Sequence, residues 1–375
     1  MSLVYIIAGE ASGDVLGARL MAALRARDAG LRFAGVGGAR MAEQGFSSLF
    51  PMRELALMGL LEVLPKVFRL KRRIAETVAD IAAQRPAVVV TIDSPGFTLR
   101  VAPQVKALGI PVVHYVAPQV WAWKPWRARK LPAQVDRILA LLPFEVTVLA
   151  AAGVAVDFVG HPVLESGADR GDAARFRARH GVADDETLLM VMPGSRRTEV
   201  SRLLPIFGET LARLPGARAV VALAGPVDTA VRQGTRAWAR PPILVRDVDD
   251  KHDAFAACAA GLIKSGTSSL ECAVAGLPHV VAYRVNPVTA WMVRRMIQVP
   301  FVSLVNLLAE RAVVPEFLQE DCTPERLSAA LAPLLAGDAS QRAGFAEALA
   351  KLRAPEGLPS EAAAAVVARY TSTTT

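Results

Sequence analysis

Two short stretches of this 375-residue chain put glycines, hydroxyls and cations at turns able to hold an anion. One is MPGSRRTEV, residues 192–200, and the other is KSGTSSLECAVAGLP, residues 264–278. Each follows an apolar run of strand type and precedes a helical pattern. A helix start carries N–H groups without intrahelical partners and the positive end of the peptide dipoles, so it draws anions. In the second stretch, after Ser265, Gly266 lets backbone come close to a bound anion, while Thr267, Ser268 and Ser269 bring hydroxyl donors. Glu271 lies one turn in, where its carboxylate can accept from ribose hydroxyls. In the first stretch Gly194 and Ser195 make the turn, and Arg196 offers a guanidinium whose paired donors fit phosphate oxygens. Arg197 reads as a solvated helix face. A charge-assisted hydrogen bond contributes about 1.5–3 kcal/mol, so two such turns can grip one diphosphate without a metal ion. The competing reading of Gly266-Thr267-Ser268 is an ordinary helix cap, with Glu271 closing a capping box.

A carboxylate of base type comes from VVVTIDSPGF, where Asp93 ends an apolar run. A positioned carboxylate can take a proton as a new bond to oxygen forms; capping the next helix is the competing role. AGEASGD, residues 8–14, joins the first strand to the first helix. Gly9 and Gly13 permit tight backbone there, Ser12 is placed to cap the helix, and Glu10 either contacts substrate or braces the loop. His161, in VGHP, falls at the crossover between the two halves of the chain, to touch a ligand or to pack as a hinge. Neither phosphate turn ends in Gly-Lys-Ser/Thr, which excludes a Walker A loop, and no G-x-G-x-x-G follows the first strand. DVDD, residues 247–250, contains an Asp-x-Asp of the kind some sugar transferases use for a divalent cation. It stands at a turn before a helix, where an acidic cap is the commoner use. The five histidines give no metal cluster, and no cofactor is expected.

The elements that must position these residues alternate almost throughout. Strand candidates in the first half are LVYIIA, RFAGVG, AVVVTID, IPVVHYV, RILALL and VDFVG; in the second half they are TLLMVMPG, ARAVVALAG, PILVRD, AGLIKSG and PHVVAYR. Helix-length patterns separate them, and runs such as VVV are apolar on both faces. That combination predicts an α/β fold of two Rossmann-like, doubly wound domains, each a parallel sheet covered on both sides. The polar stretch around residues 163–185 marks the boundary. The expected division is residues 1–165, then 166–345, then C-terminal helices over 346–375 that pack back near the first domain and end in a frayed tail. Ligands in such sheets gather at the carboxyl ends of strands, although the fold alone does not choose a chemistry.

The formal charge of +8 favours anionic partners. Three cysteines without Cys-x-x-Cys spacing fit a reducing compartment. The start, MSLVYIIAGEASGD, reads as a strand and not as a signal peptide. The segment LALMGLLEVLPKVFRLKRRI, residues 55–74, sets Leu57, Met58, Leu60, Leu61, Val63, Leu64, Val67 and Phe68 beside Arg69, Arg72 and further cations. Such a segment can lie in a bilayer interface, apolar residues sunk and cations on anionic headgroups; a core helix with a basic solvated face is the alternative. VWAWKPWRARK, residues 120–130, adds tryptophans amid cations, without an RNA-binding motif, so nucleic acid is not an expected partner.

Taken together and in this order, AGEASGDVLGARL, FAGVGGARM, ELALMGLLEVL, TIDSPGF, HYVAPQVWAW, LALLPFE, FVGHP, MPGSR, SGTSSLECAVAGLP, VSLVNLLAER and VPEFLQEDCTPERL give a resemblance that runs nearly end to end. The chain resembles the lipid-A-disaccharide synthases, glycosyltransferase family 19. The resemblance implies a GT-B fold and inverting transfer of a diacylglucosamine unit from UDP to diacylglucosamine 1-phosphate. It implies that Asp93 and Arg196 match the family's essential aspartate and arginine, that no metal is used, and that the apolar segment after ALMG handles lipid. It further implies a cytoplasmic protein, peripheral on the inner-membrane face, and is compatible with a homodimer. The chain departs from the family's pattern at Gly96, where a second aspartate is frequent, at Val305, where proline is frequent, and at Lys264, where a small residue is common. Two other readings stay open: a different GT-B enzyme acting on UDP-N-acetylglucosamine, by lipid-acceptor transfer or 2-epimerisation, and a non-catalytic lipid-binding protein of the membrane surface.

Overall fold

The computed structural model describes residues 2–56, 63–118, 125–286 and 300–371. The chain divides into two units, residues 1–162 with 352–375, and residues 163–351. Each is built on one six-stranded sheet.

In the first unit the strands are β1 (Leu3–Ala8), β2 (Arg32–Val36), β3 (Val88–Ile92), β4 (Val112–Tyr115), β5 (Arg137–Ala140) and β6 (Ala155–Phe158), in the order β2-β1-β3-β4-β5-β6. Every neighbouring pair is parallel. Parallel neighbours need a crossover on one face, so both faces become covered and the strands lose their polar alternation. All of LVYIIA and all of VVVTI are buried accordingly. Tyr5, Ile7, Val89, Val112 and Ile138 pack in one cluster with Phe97, Val101 and Val105 of the helix Pro95–Ala107. The helix Ala11–Arg27 lies against β1 and β3 and carries the last helix, Pro359–Ala368.

The second unit has β7 (Thr187–Met192), β8 (Ala217–Ala222), β9 (Ile243–Val245), β10 (Ala260–Lys264), β11 (His279–Tyr283) and β12 (Glu316–Leu318), parallel throughout, in the order β12-β11-β10-β7-β8-β9. The eleven strands expected from the sequence are all present. The twelfth, β12, is a three-residue edge strand, too short for Glu316-Phe317-Leu318 to show a period. The α/β class with two doubly wound sheets is therefore the observed architecture.

Each sheet has a place where the strand order reverses. In the first it lies between β1 and β3, and in the second between β7 and β10. At such a place the loops leaving the two carboxyl ends turn to opposite faces and open a crevice.

Candidate active site

In the second unit both phosphate-type turns leave the two strands that flank the reversal. Met192 ends β7 opposite Ile263 of β10, so Gly194-Ser195-Arg196 and Ser265-Gly266-Thr267-Ser268 come off adjacent strand ends. Residues separated by about seventy positions in sequence thus meet at one sheet edge.

The sequence candidates do not include Glu199, which organises the first turn. Its Oε2 accepts from the N–H groups of Ser195 (3.2 Å) and Arg196 (3.3 Å). Its Oε1 receives the Arg196 guanidinium at 3.2 Å and Lys264 Nζ at 3.0 Å. Gly194 has φ +110°, and a Cβ there would stand 2.5 Å from Glu199 Oε2, so glycine is required on two counts. Burial alone would raise the Glu199 carboxyl pKa. The charge and hydrogen bond of Lys264, joined by the Arg196 N–H and guanidinium, carry the balance below the usual carboxylate range. Glutamate three residues after the helix cap is a capping-box signal, and it was legible in SRRTE.

The second turn is not the ordinary cap offered as the alternative. Thr267 occupies the cap position of the helix Ser268–Val274 without a side-chain cap bond. Glu271 turns away to Lys251, whose Nζ lies 3.0 and 3.1 Å from its two oxygens. Thr267 is exposed and Ser268 half-buried. Among the described residues the N–H groups of Gly266 and Thr267 have no acceptor within the chain. Ser269, expected from the sequence as a further hydroxyl donor to the anion, is instead buried and consumed inside. Its hydroxyl lies 2.7 Å from His279 Nε2 and 3.2 Å from Ser303 Oγ. His279 Nδ1 sits 3.0 Å from the Leu277 carbonyl, which makes Nδ1 the protonated nitrogen and Nε2 the acceptor for Ser269. Ser265 likewise donates to the Val302 carbonyl at 3.2 Å. The turn is thereby fastened from beneath and left open in front.

DVDD takes its capping role. Asp247 Oδ1 accepts from the N–H groups of Asp249 and Asp250, and the Asp250 carboxylate is held by Arg179 and His180.

In the first unit, Glu10 follows β1 and Asp93 follows β3, the pair flanking that sheet's reversal. Asp93 and Ser94 both adopt φ +48°, an uncommon conformation for residues with a side chain. Their backbone is tied on both sides: Asp93 N–H donates to the Tyr115 carbonyl (2.9 Å), and Thr98 Oγ1 donates to the Asp93 carbonyl (2.7 Å). Gly9 makes room, since a Cβ there would fall 2.3 Å from Ser94 Oγ. Asp93 is half-buried and Glu10 exposed. Ser12 does not cap the first helix. That helix begins at Ala11 with Glu10 at the cap position, which places Ser12 inside its first turn, exposed. Asp14 is the capping carboxylate, but for another segment: it accepts from the N–H groups of Gly38 (2.8 Å), Arg40 (2.9 Å) and Met41 (3.1 Å). His161 is buried, with its imidazole pKa pushed down to about 4 by burial, and its backbone N–H donates to the Leu352 carbonyl at 2.9 Å.

Comparison with known proteins identifies the family of the chain. The family model for lipid-A-disaccharide synthetase matches residues 4–364. The chain belongs to that family. It is a glycosyltransferase of lipid A biosynthesis. It is 53% identical to the lipid-A-disaccharide synthase of Granulibacter bethesdensis, over 97% of this chain and 98% of the relative. It is 51% identical to that of Gluconobacter oxydans, over 97% and 90%. Among solved structures, the S. aureus MnaA–UDP co-structure superposes with TM-score 0.67 at 15% identity, covering 96% of this chain and 94% of that one, a likeness of fold.

Of the segment expected to handle lipid, Leu57, Met58, Leu60 and Leu61 lie outside the described residues, as do the side chains of Val63, Leu64 and Val67. Phe68 is 69% exposed on the helix Val63–Gln84, and Arg69 and Arg72 are exposed beside it. Arg73 departs from the expected basic cluster. It pairs with Glu54 and Glu76 and stacks over Phe50 at 4.5 Å, so its charge is neutralised within the protein. Among the described residues no helix is long and apolar enough to cross a membrane.

Proposed function

We propose that the enzyme holds the donor's UDP in the crevice between β7 and β10 and works on its acceptor from the crevice between β1 and β3. Arg196, the N–H groups of Gly194, Gly266 and Thr267 and the hydroxyls of Ser195, Thr267 and Ser268 grip the diphosphate, Ser265 holds the turn from beneath, and Glu271 meets the ribose. The donor is UDP-2,3-diacylglucosamine and the acceptor 2,3-diacylglucosamine 1-phosphate. Asp93 takes the proton from the acceptor's 6-hydroxyl as that oxygen bonds to the donor's anomeric carbon from the face opposite UDP. The bond to the diphosphate breaks, its electron pair leaves with UDP, and the configuration inverts. Preorganised positive groups around the departing oxygens stabilise the charge that develops there, with no metal in the scheme. Glu10 and Ser12, both exposed, serve the acceptor side as loop or substrate contacts, and the buried His161 packs at the crossover between the halves of the chain.

Phe68, Arg69 and Arg72 border one groove with Arg53 and Glu54, which supports a role at an anionic membrane surface on the cytoplasmic side. A homodimer belongs to the same reading.

The observation that carries this reading is the emergence of both anion-type turns from the two strands at one reversal point. The test is product mass after incubation with both lipid substrates, alongside UDP titration of Asp93→Ala. We expect disaccharide phosphate from the wild type. The variant should bind UDP normally with turnover reduced about 10²–10⁴-fold. Unchanged turnover would remove Asp93 from the mechanism.

A further inference from the structure

Lys264 is the cation at this reversal point for which the donor scheme has no task. It ends β10, with a side chain 17% exposed against 76% for Arg196, and both reach the same Oε1 of Glu199. Lys264 Nζ also lies 5.5 Å from the Tyr283 ring centroid and 3.8 Å from the place a Cβ on Gly266 would take. It therefore stands behind both turns, the fixed inner cation of a pair whose outer member is Arg196.

We propose that Lys264 is a positioning residue that keeps Glu199 compensated, so that Arg196 can exchange that carboxylate for the donor's diphosphate. The inference rests on the donor reading above.

Glu199 is needed where it is, because its Oε2 shapes the turn through the N–H groups of Ser195 and Arg196. A carboxylate so placed competes with any phosphate for the Arg196 guanidinium. A largely buried carboxylate that loses its last cation is strongly disfavoured. With Lys264 present, Arg196 can leave and Glu199 still has an ammonium at 3.0 Å. Without Lys264, Arg196 is the remaining cation on Glu199 among the described residues and is held back from the ligand.

UDP titration calorimetry on the full chain separates the outcomes. At pH 8, Lys264→Met should weaken UDP binding about tenfold, the size of one charge-assisted contact, and Lys264→Arg should restore most of it. The deciding comparison uses a background without the competing charge: on Glu199→Gln, adding Lys264→Met should change UDP affinity little. A further large loss on that background means that Lys264 touches the phosphate or merely supports the fold, and overturns the proposal. The comparison still holds if Lys264→Met alone fails to fold.

A pH series adds a readout that a scaffolding role would not move. Among the described residues, the charged and titratable groups facing Glu199 are Arg196 on its own turn, Lys264 on β10 and Tyr283 on β11. Removing Lys264 raises the pKa of the Glu199 carboxyl, so the deficit of Lys264→Met should shrink as pH falls and Glu199 is protonated; a pH-independent deficit counts against the proposal. Arg196→Ala guards the premise. If it binds UDP as the wild type does, the donor reading itself fails, whatever Lys264 does.

Discussion

Asp93 owes its place to a contact its own sequence neighbourhood does not announce. Two consecutive residues with side chains at φ +48° cost roughly 1–3 kcal/mol each, and the ladder bond to Tyr115 and the Thr98 hydroxyl hold them there. The remaining condition is Gly9, on the neighbouring strand end, which leaves space for Ser94. Gly9→Ala would put a methyl 2.3 Å from Ser94 Oγ and 2.5 Å from its Cβ. Overpacking of that kind is expected to lower stability by about 1–3 kcal/mol and, because Asp93 is the adjacent residue, to lower turnover as well. Ser94→Gly removes the obstructing atoms and suits the positive φ. The double variant should then recover most of the stability lost in Gly9→Ala, as urea unfolding would show. If the two losses simply add, Gly9 does not act through Ser94. At this scale the AGE and IDS motifs are one structural feature written in two places.

The segment after residue 300 has the same character at the scale of elements. Glu316 on β12 accepts from the N–H groups of Val302 (2.9 Å) and Ser303 (2.8 Å) and from Asn306 Nδ2 (2.8 Å). Asn306 Oδ1 in turn accepts from the N–H groups of Val313 and Val314. Asn306→Ala strands the half-buried Val313 and buried Val314 backbone donors and part of a carboxylate, so it should cost the second unit on the order of 2–5 kcal/mol. Because Ser303 and Val302 fasten Ser269 and Ser265, UDP affinity should fall with it. Unfolding curves and UDP titration on that variant measure both, and a stability within 0.5 kcal/mol of wild type, the ordinary range of a surface change, would deny the network its role. Much of the element level was legible beforehand. Buried parallel strands such as VVVTI and TLLMV announce themselves by unbroken apolar runs, and the glycine-hydroxyl turns by their place between strand and helix. What stayed hidden were partnerships across distance: Glu199 with Lys264, Glu271 with Lys251, Ser269 with His279. Periodicity reports which face of an element is apolar, whereas these pairs depend on which strands become neighbours, and the order β10-β7 is a property of the whole sheet.

At the scale of the molecule the buried histidines join the two units in one response to acid. His114 and His161 in the first unit and His279 in the second are each pushed down to about 4 by burial. His252, in the second, is lowered as well, by burial and by Lys251. His114 hydrogen-bonds Thr91 through Nδ1 at 2.8 Å, while its Nε2 is buried without a partner among the described residues. An imidazole free in the unfolded chain titrates near 6.5. Between pH 6.5 and 4 the unfolded chain therefore binds protons that the folded chain refuses, and stability falls as pH falls through that window. It is fully present above it. Each such group contributes a slope of at most about 1.4 kcal/mol per pH unit. Urea midpoints measured from pH 7.5 to 4.5 should drop steadily below 6.5. His114→Gln should flatten the curve by about one proton while leaving the dependence owed to His161 and His279. A curve with unchanged slope in that variant would mean that His114 is protonated in the folded chain. Its Nε2 would then need an acceptor that none of the described residues provides.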